Sequence, residues 1–281
     1  MNKPKTLFYD IETSLLVNHC FGLGKTVLRH GSLLPGYFSR THIITLTYKW
    51  SDSDEVVTLD WGKTEEDEKT MIELFDKEVQ KADQVIGKNN RRFDDKLINA
   101  ARLWFDLPGN PEWIRYNDDL EAQMRRYFKL PSQSLDYISH QLGLGGKDTM
   151  QFSDWVDLSY LRMAQLAPES KSLIKVLTGQ SMTTCLKNGK EALHKMTVYN
   201  QKDVTDTENL WNYCKKHFEP KFNTANLNEA MVCKICGSNN IRKNGTRYSG
   251  KTRYQSFYCN NHGGYAGRAT ISKHGKLGTI G

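Results

Sequence analysis

Apolar positions along the chain alternate in some stretches and recur at helical spacing in others. Residues 5–9 are apolar and aromatic behind a polar start, the profile of a buried strand. Residues 42–50 and 56–61 read as two more strands, expected to lie antiparallel beside the first. Helix is predicted over 65–82, a short strand at 84–87, and helix again over 93–105, where Phe93, Leu97, Ala100 and Ala101 supply the apolar spacing. A strand is expected near 114–118. Ser134 caps a further helix with Leu135, Ile138 and Leu142 on its apolar face, closed by a loop over 143–146. Residues 191–216 contain no proline or glycine, and Leu193, Met196, Val204, Leu210 and Trp211 form a stripe along them. Strands interleaved with helices predict an α/β fold, a mixed sheet flanked by helices.

Carboxylates sit at chosen points of this pattern. Asp10 and Glu12 follow the first strand two residues apart, on one face, with Ile11 turned the other way. Two adjacent carboxylates repel unless a cation lies between them, and magnesium or manganese binds such oxygens readily. Asp94 and Asp95 open the helix that follows the polar loop 88–92, where the helix dipole alone favours acids. The same loop brings Asn89, Arg91 and Arg92 beside an acid, as contact with a phosphate backbone requires. Tyr199 and Asp203 stand four apart on one helix face. Taken singly, each of these has an ordinary surface explanation. Asp118 and Asp119 read as cap or loop residues.

Together and in this order, the segments resemble the DnaQ-like 3′–5′ exonucleases of the DEDDy type, within the RNase H-like superfamily. The likeness covers roughly residues 1–218: DIET from Asp10, GKNNRRFD ending at Asp94, and Y-x-x-x-D from Tyr199 to Asp203. Lys88 replaces the histidine usual in the second motif. Val198 stands where the sister type carries its histidine, so tyrosine is the better assignment. The resemblance implies catalytic residues Asp10, Glu12, Asp94, Tyr199 and Asp203. Asp10, Glu12 and Asp203 would hold one divalent ion, Asp10 would bridge to a second, and Asp94 would support that one through water. Two ions ~3.5–4 Å apart clamp the attacking and leaving oxygens of a phosphoryl displacement. Tyr199, with an ordinary pKa near ~10, suits orienting a water better than acting as a base. The resemblance further implies release of nucleoside 5′-monophosphates from a 3′ end, and a phage or bacterial replication or repair setting in the cytoplasm, or in the host's.

The tail is a different unit. Cys233-x2-Cys236 and Cys259-x2-His262 are two close pairs of soft ligands, the pattern of a closed tetrahedral zinc site, with Gly237 and Gly263-Gly264 supplying turns. The stretch resembles the zinc ribbons of some transposases and transcription factors, except that the last ligand is histidine; His274 is the alternative to His262. Expected boundaries are a nuclease domain over 1–218, a polar linker over 219–230 and the ribbon over 231–281, too small to fold without its metal.

Charge separates the two units. The chain holds 39 Lys and Arg against 32 Asp and Glu. Residues 231–281 carry nine of the cations and no acid, which leaves the rest near neutral. Arg242, Lys243, Arg247, Lys251 and Arg253, interleaved with Tyr248, Tyr254, Tyr258 and Tyr265, suit phosphate contact and stacking on unpaired bases, while Phe257 reads as ribbon core.

No apolar run approaches the ~20 residues of a membrane span, the start lacks a signal-peptide pattern, and Cys20, Cys185 and Cys214 are scattered, as in a reducing compartment. The sequence 21–26 is not a phosphate loop, since His19 occupies the place of its first glycine; it reads as an insertion lining the substrate. The expected function is a two-metal exonuclease on single-stranded DNA, with the ribbon assisting binding and a replication or repair protein as a partner. RNA cleavage, structure-selective endonuclease activity, or a non-catalytic nucleic-acid-binding or recruiting role are the alternatives.

Overall fold

The computed structural model describes residues 4–15, 40–109, 117–145, 150–166, 171–219, 222–227, 231–272 and 274–281. Cys20, the 21–26 insertion, residues 114–116 of the expected fifth strand, Gly146 and Lys273 lie outside them.

Strands β1 (Thr6–Thr13), β2 (Ile43–Trp50), β3 (Val56–Asp60), β4 (Gln84–Gly87) and β5 (Asn117–Asp119) form one mixed sheet in the order β3-β2-β1-β4-β5. The first three are antiparallel neighbours, and β4 and β5 join parallel to β1. Helices α1 (Glu65–Val79), α2 (Asp94–Trp104), α3 (Leu120–Tyr127), α4 (Leu135–Gln141), α5 (Phe152–Leu166), α6 (Lys171–Thr178) and α7 (Met182–Cys214) flank it. The period of two decides what β1 does on each side. Leu7, Tyr9 and Ile11 enter a core with Met71, Ile72 and Phe75 of α1 and Ile98 of α2. Phe8 faces the other way, into a core with Val204, Leu210 and Trp211 of α7. Asp10 and Glu12 share Phe8's face, so α7 passes over them.

Several expectations shift in detail. β1 continues through Thr13, so Asp10 and Glu12 lie within the strand, paired with Thr47 and Thr45 of β2. α1 ends at Val79 and α2 begins at Asp94. Phe93 is 46% exposed and stands outside the helix, and Ile98 takes the buried place beside Ala101. α7 starts nine residues earlier than predicted and runs through Gly189. Glycine costs a helix roughly 1 kcal/mol against alanine. It is kept here by close approach: a Cβ at 189 would lie 2.5 Å from Leu161 Cβ on α5.

Helix α5 is anchored by a polar hub. Glu68 and Arg162 are 0% and 1% exposed, and Arg162 donates to Glu68 Oε2 at 2.9 Å, with His42 Nδ1 2.7 Å from the same oxygen. The Ile43 amide donates to Glu68 Oε1, and Arg162 stacks over Trp61. Burial pushes the Glu68 carboxyl up, but His42, Arg40 and Arg162 together bring it below the usual carboxylate range. Leaving one charge of such a pair buried alone costs about 3–5 kcal/mol.

The second sheet holds β6 (Ile241–Ser249), β7 (Thr252–Cys259), β8 (Gly264–Ile271) and β9 (Leu277–Ile280), all antiparallel and in sequence order. Its core is small: Phe257, Ala266, Ala269 and Ile280 around the cysteines. Residues 222–224 are fastened to it. The Thr224 amide donates to the Lys234 carbonyl at 2.7 Å, and Asn223 Nδ2 donates to the Ile280 carbonyl at 3.1 Å. Glu219 and Lys234 form an ion pair at 2.8 Å across the junction. No described helix is long and apolar enough to cross a membrane.

Candidate metal centres

The carboxyl ends of β1, β4 and β5 point to one edge of the main sheet, where open α/β sheets gather ligands. There Asp10 and Glu12 of β1 meet Asp203 of α7, each offering an oxygen within 4.8 Å of the others. Opposite ligands of an octahedral magnesium lie about 4.2 Å apart, so oxygens this close together need only a small adjustment to hold such an ion, and hard oxygen donors suit it. Asn200, fully buried one turn before Asp203, donates Nδ2 to Asp10 Oδ2 at 2.7 Å. Its own Oδ1 is buried with no hydrogen-bond partner among the described residues. Asn200 carried no signal in the sequence beyond its place next to Tyr199.

Asp94 reaches the same edge from the other face of the sheet. It lies outside the three-acid group, 3% exposed, and its Oδ1 accepts from the Ile11 amide at 3.1 Å. Burial, reinforced by Asp95 and Asp119 and opposed by that amide, pushes its carboxyl up to about 7. A nearby cation reverses such a shift. Beneath it, the Tyr9 hydroxyl and Asn117 Nδ2 both donate to Asp95, and Asn90 Nδ2 donates to Asn117 Oδ1 at 2.5 Å. These buried groups hold the turn that carries Asp94. Tyr199 is half-buried one helical turn from Asp203, its ring edge-on to Trp155 at 6.3 Å.

The loop between β4 and α2 is tied down too. Asn89 adopts a left-handed φ of 60°, and its amide donates to Asp119 Oδ1, the oxygen that also caps α3 through Ala122. Lys88 pairs with Glu121 of α3 at 3.1 Å and turns away from the acids. Arg91 and Arg92 are exposed beside them. Asp119 therefore acts as the cap expected of it. Asp118 is instead a buried strand residue, accepting from Gln84 and Gln123.

In the second sheet Cys233, Cys236, Cys259 and His262 converge. His262 Nδ1 lies 3.6 Å from Cys233 Sγ and 3.5 Å from Cys236 Sγ, and Cys236 Sγ lies 3.6 Å from Cys259 Sγ. A zinc tetrahedron with Zn–S ~2.3 Å and Zn–N ~2.0–2.1 Å has edges of about 3.5–3.8 Å between sulfurs or sulfur and nitrogen, so these three separations match that ion. Both knuckles close alike. The amides of Gly237 and Gly263 bond back to the carbonyls of Cys233 and Cys259, with φ of 69° and 71° that glycine adopts at no steric cost. His274, the alternative ligand, is exposed outside the cluster. Hydrogen bonds from Cys233 and then His262 pull the Cys236 thiol down to about 3, toward the thiolate a metal requires.

The basic residues expected to meet nucleic acid in the tail are exposed. Arg242, Lys243 and Arg247 lie along the edge strand β6, Lys251 and Arg253 at the hairpin tip and the start of β7. No family model and no curated protein matches the chain. Among solved structures, it is similar to the family B DNA polymerase from the hyperthermophilic archaeon Pyrobaculum calidifontis, with a TM-score of 0.48 and 12% sequence identity, covering 90% of this chain and 32% of that one. The chain spans about a third of the polymerase's length.

Proposed function

We propose that the chain is a metal-dependent 3′–5′ exonuclease that hydrolyses single-stranded DNA to nucleoside 5′-monophosphates, with residues 1–218 as the nuclease, 219–230 as the linker and 231–281 as a zinc ribbon that assists binding. The observation that carries this reading is the meeting of Asp10, Glu12 and Asp203 at the strand edge, with Asp94 fastened to the amide between the first two. Magnesium or manganese, when bound, would activate a water and neutralise charge on the scissile phosphate.

The chain's own residues do the rest. Asp10, Glu12 and Asp203 bind the ions, and Asp94 adds its carboxylate from the α2 side. Asn200 occupies one oxygen of Asp10 and thereby fixes how the other is presented. Tyr199, a turn along α7, is placed to donate a hydrogen bond that orients the attacking water. Arg91 and Arg92 offer cations to the phosphates that flank the scissile one, and the turn at Asn89 presents them. Cys233, Cys236, Cys259 and His262 would hold structural zinc. The 3′ polarity and the replication or repair setting rest on the motif resemblance.

The test is a gel time course on 5′-labelled DNA and RNA of one sequence, with magnesium or manganese, for the natural chain and Asp10→Ala. A ladder shrinking from the 3′ end on DNA, absent without added metal and in the variant, is the expected result. Internal cuts would replace the exonuclease by an endonuclease, and preference for RNA would overturn the sugar assignment. Binding without cleavage of either would leave a recruiting protein.

A further inference from the structure

On β7, Tyr254, Ser256 and Tyr258 lie on the face opposite Phe257 and Cys259, which turn into the small core; the two tyrosines are half-buried and Ser256 is covered between them. Direct cross-strand partners share a face, which places Arg242 beside Tyr258 and both Arg247 and Thr270 beside Tyr254. Two guanidinium carbons lie over these rings: Arg242 Cζ above Tyr258 at 4.6 Å and Arg268 Cζ above Tyr254 at 4.4 Å. Neither they nor Arg247 has an ion-pair partner among the described residues, and residues 231–281 contain no acid. The face continues over the junction. Lys234 lies over Tyr265 at 5.2 Å and pairs with Glu219, whose other oxygen is 3.9 Å from Arg126 at the end of α3. Arg126 in turn lies 5.3 Å over Tyr127.

The position of this face matters as much as its chemistry. Cys236 and His262 share a cavity of about 470 Å³ with Thr6, Gln84 and Trp211, so the second sheet meets the first at the start of β1. Asp10 and Glu12 lie toward the other end of that strand. Six residues of strand separate Thr6 from Glu12, a length of about 20 Å. Helix α3 leads from one end toward the other, since it begins at the carboxyl edge behind Asp119 and carries Arg126 in its last turn.

We propose that the outer face of β6–β8, with Arg242, Arg268, Tyr254 and Tyr258 at its centre, is a stacking platform for single-stranded nucleic acid upstream of the cleaved end. The proposal rests on the nuclease reading for what lies at the far edge, not for the platform itself. A guanidinium held over a tyrosine ring keeps donors free for phosphate, and ring and guanidinium together offer faces on which a base can stack. Unpaired bases have exposed faces to stack on such planes, which duplex does not offer. A stacked strand advancing ~3.4 Å per nucleotide covers 20 Å in about six nucleotides. A strand that stays stacked therefore needs about six nucleotides to occupy both places at once.

The experiment measures binding of fluorescein-labelled oligothymidylates of four and twenty nucleotides to the full chain, zinc retained and no magnesium or manganese added, across a salt series. R242Q/R268Q is expected to weaken 20-mer binding roughly tenfold or more and to lower the salt slope by about 1.4, and to weaken the 4-mer too, since four nucleotides can sit on the platform alone. Tyr254→Leu is expected to weaken the 20-mer several-fold with the slope unchanged, as lost stacking predicts. Arg268→Lys restores the slope but not the affinity. Zinc content and circular dichroism verify that each variant is folded. Unchanged 20-mer affinity in folded R242Q/R268Q overturns the platform. Duplex bound as tightly as single strand, with Tyr254→Leu silent, overturns stacking. Failure of the nuclease reading shows separately, as natural protein that binds in this way but does not cleave once magnesium is added.

Discussion

The acidic centre and the cysteine–histidine centre are assembled in opposite ways. Asn200 and Asp10 touch although 190 residues separate them, and the acids are fixed by a five-stranded sheet with apolar cores on both faces. Cys233 and His262 are 29 residues apart, and the sheet that carries them encloses few apolar side chains. In the first case the fold pre-exists and prepares the ligands. In the second, a metal that draws the four ligands together would supply much of what folds the chain around them.

This contrast can be broken at several points. The largest effect is expected from Cys259→Ser or from zinc removal. With apparent binding free energies of ~10–16 kcal/mol at stake, hydrogen exchange across β6–β9 should rise to that of an unfolded segment while β1, β2 and β4 stay protected. Persistent protection of β7 in zinc-free protein would show that the second sheet folds on its own. Next comes Asp203→Asn, expected to cut the rate of single-turnover cleavage by about a thousandfold, ~4 kcal/mol in the barrier. Because it removes one of three mutually repelling carboxylates, thermal stability without added magnesium should hold or rise. A marked fall in melting temperature would make Asp203 a structural residue as well.

Smaller changes sharpen the picture. Asn200→Ala should lower magnesium affinity and cleavage tenfold to a hundredfold, as loss of a group orienting a ligand does, and added metal should recover part of the rate. A variant indifferent to magnesium concentration would show that Asn200 does not act through Asp10. Tyr9→Phe leaves Asp95 short of one donor in a buried setting, at a cost of about 1–2 kcal/mol in urea unfolding. The metal dependence of any cleavage should not move; if it does, the Tyr9–Asp95 network reaches the site.

Much of this was legible in the sequence where local pattern and tertiary role coincide. The alternation of β1 is one case: the same period that buries Tyr9 and Ile11 presents Asp10 and Glu12. The paired knuckles are another, since each is a local turn whose spacing is its geometry. Pattern gave out where partners are distant. Helices α5 and α6 were not anticipated, because much of what α5 buries is polar, Asp154, Ser159 and Arg162 among it. The partner of Arg162 is Glu68, 94 residues away. The start of α7 was hidden by Gly189, which a local reading treats as a break and the structure uses as a contact.

Helix α7 has a consequence beyond packing. Asp203 belongs to the acidic centre, while Glu208, Trp211 and Asn212, further along the same uninterrupted helix, line the cavity shared with Cys236 and His262. One residue inserted between Asp203 and Glu208 would turn everything beyond it by about 100° and advance it ~1.5 Å. The centres are therefore phase-locked. Loops elsewhere can lengthen or shorten freely over evolutionary time, but this short stretch can change its side chains and not its count.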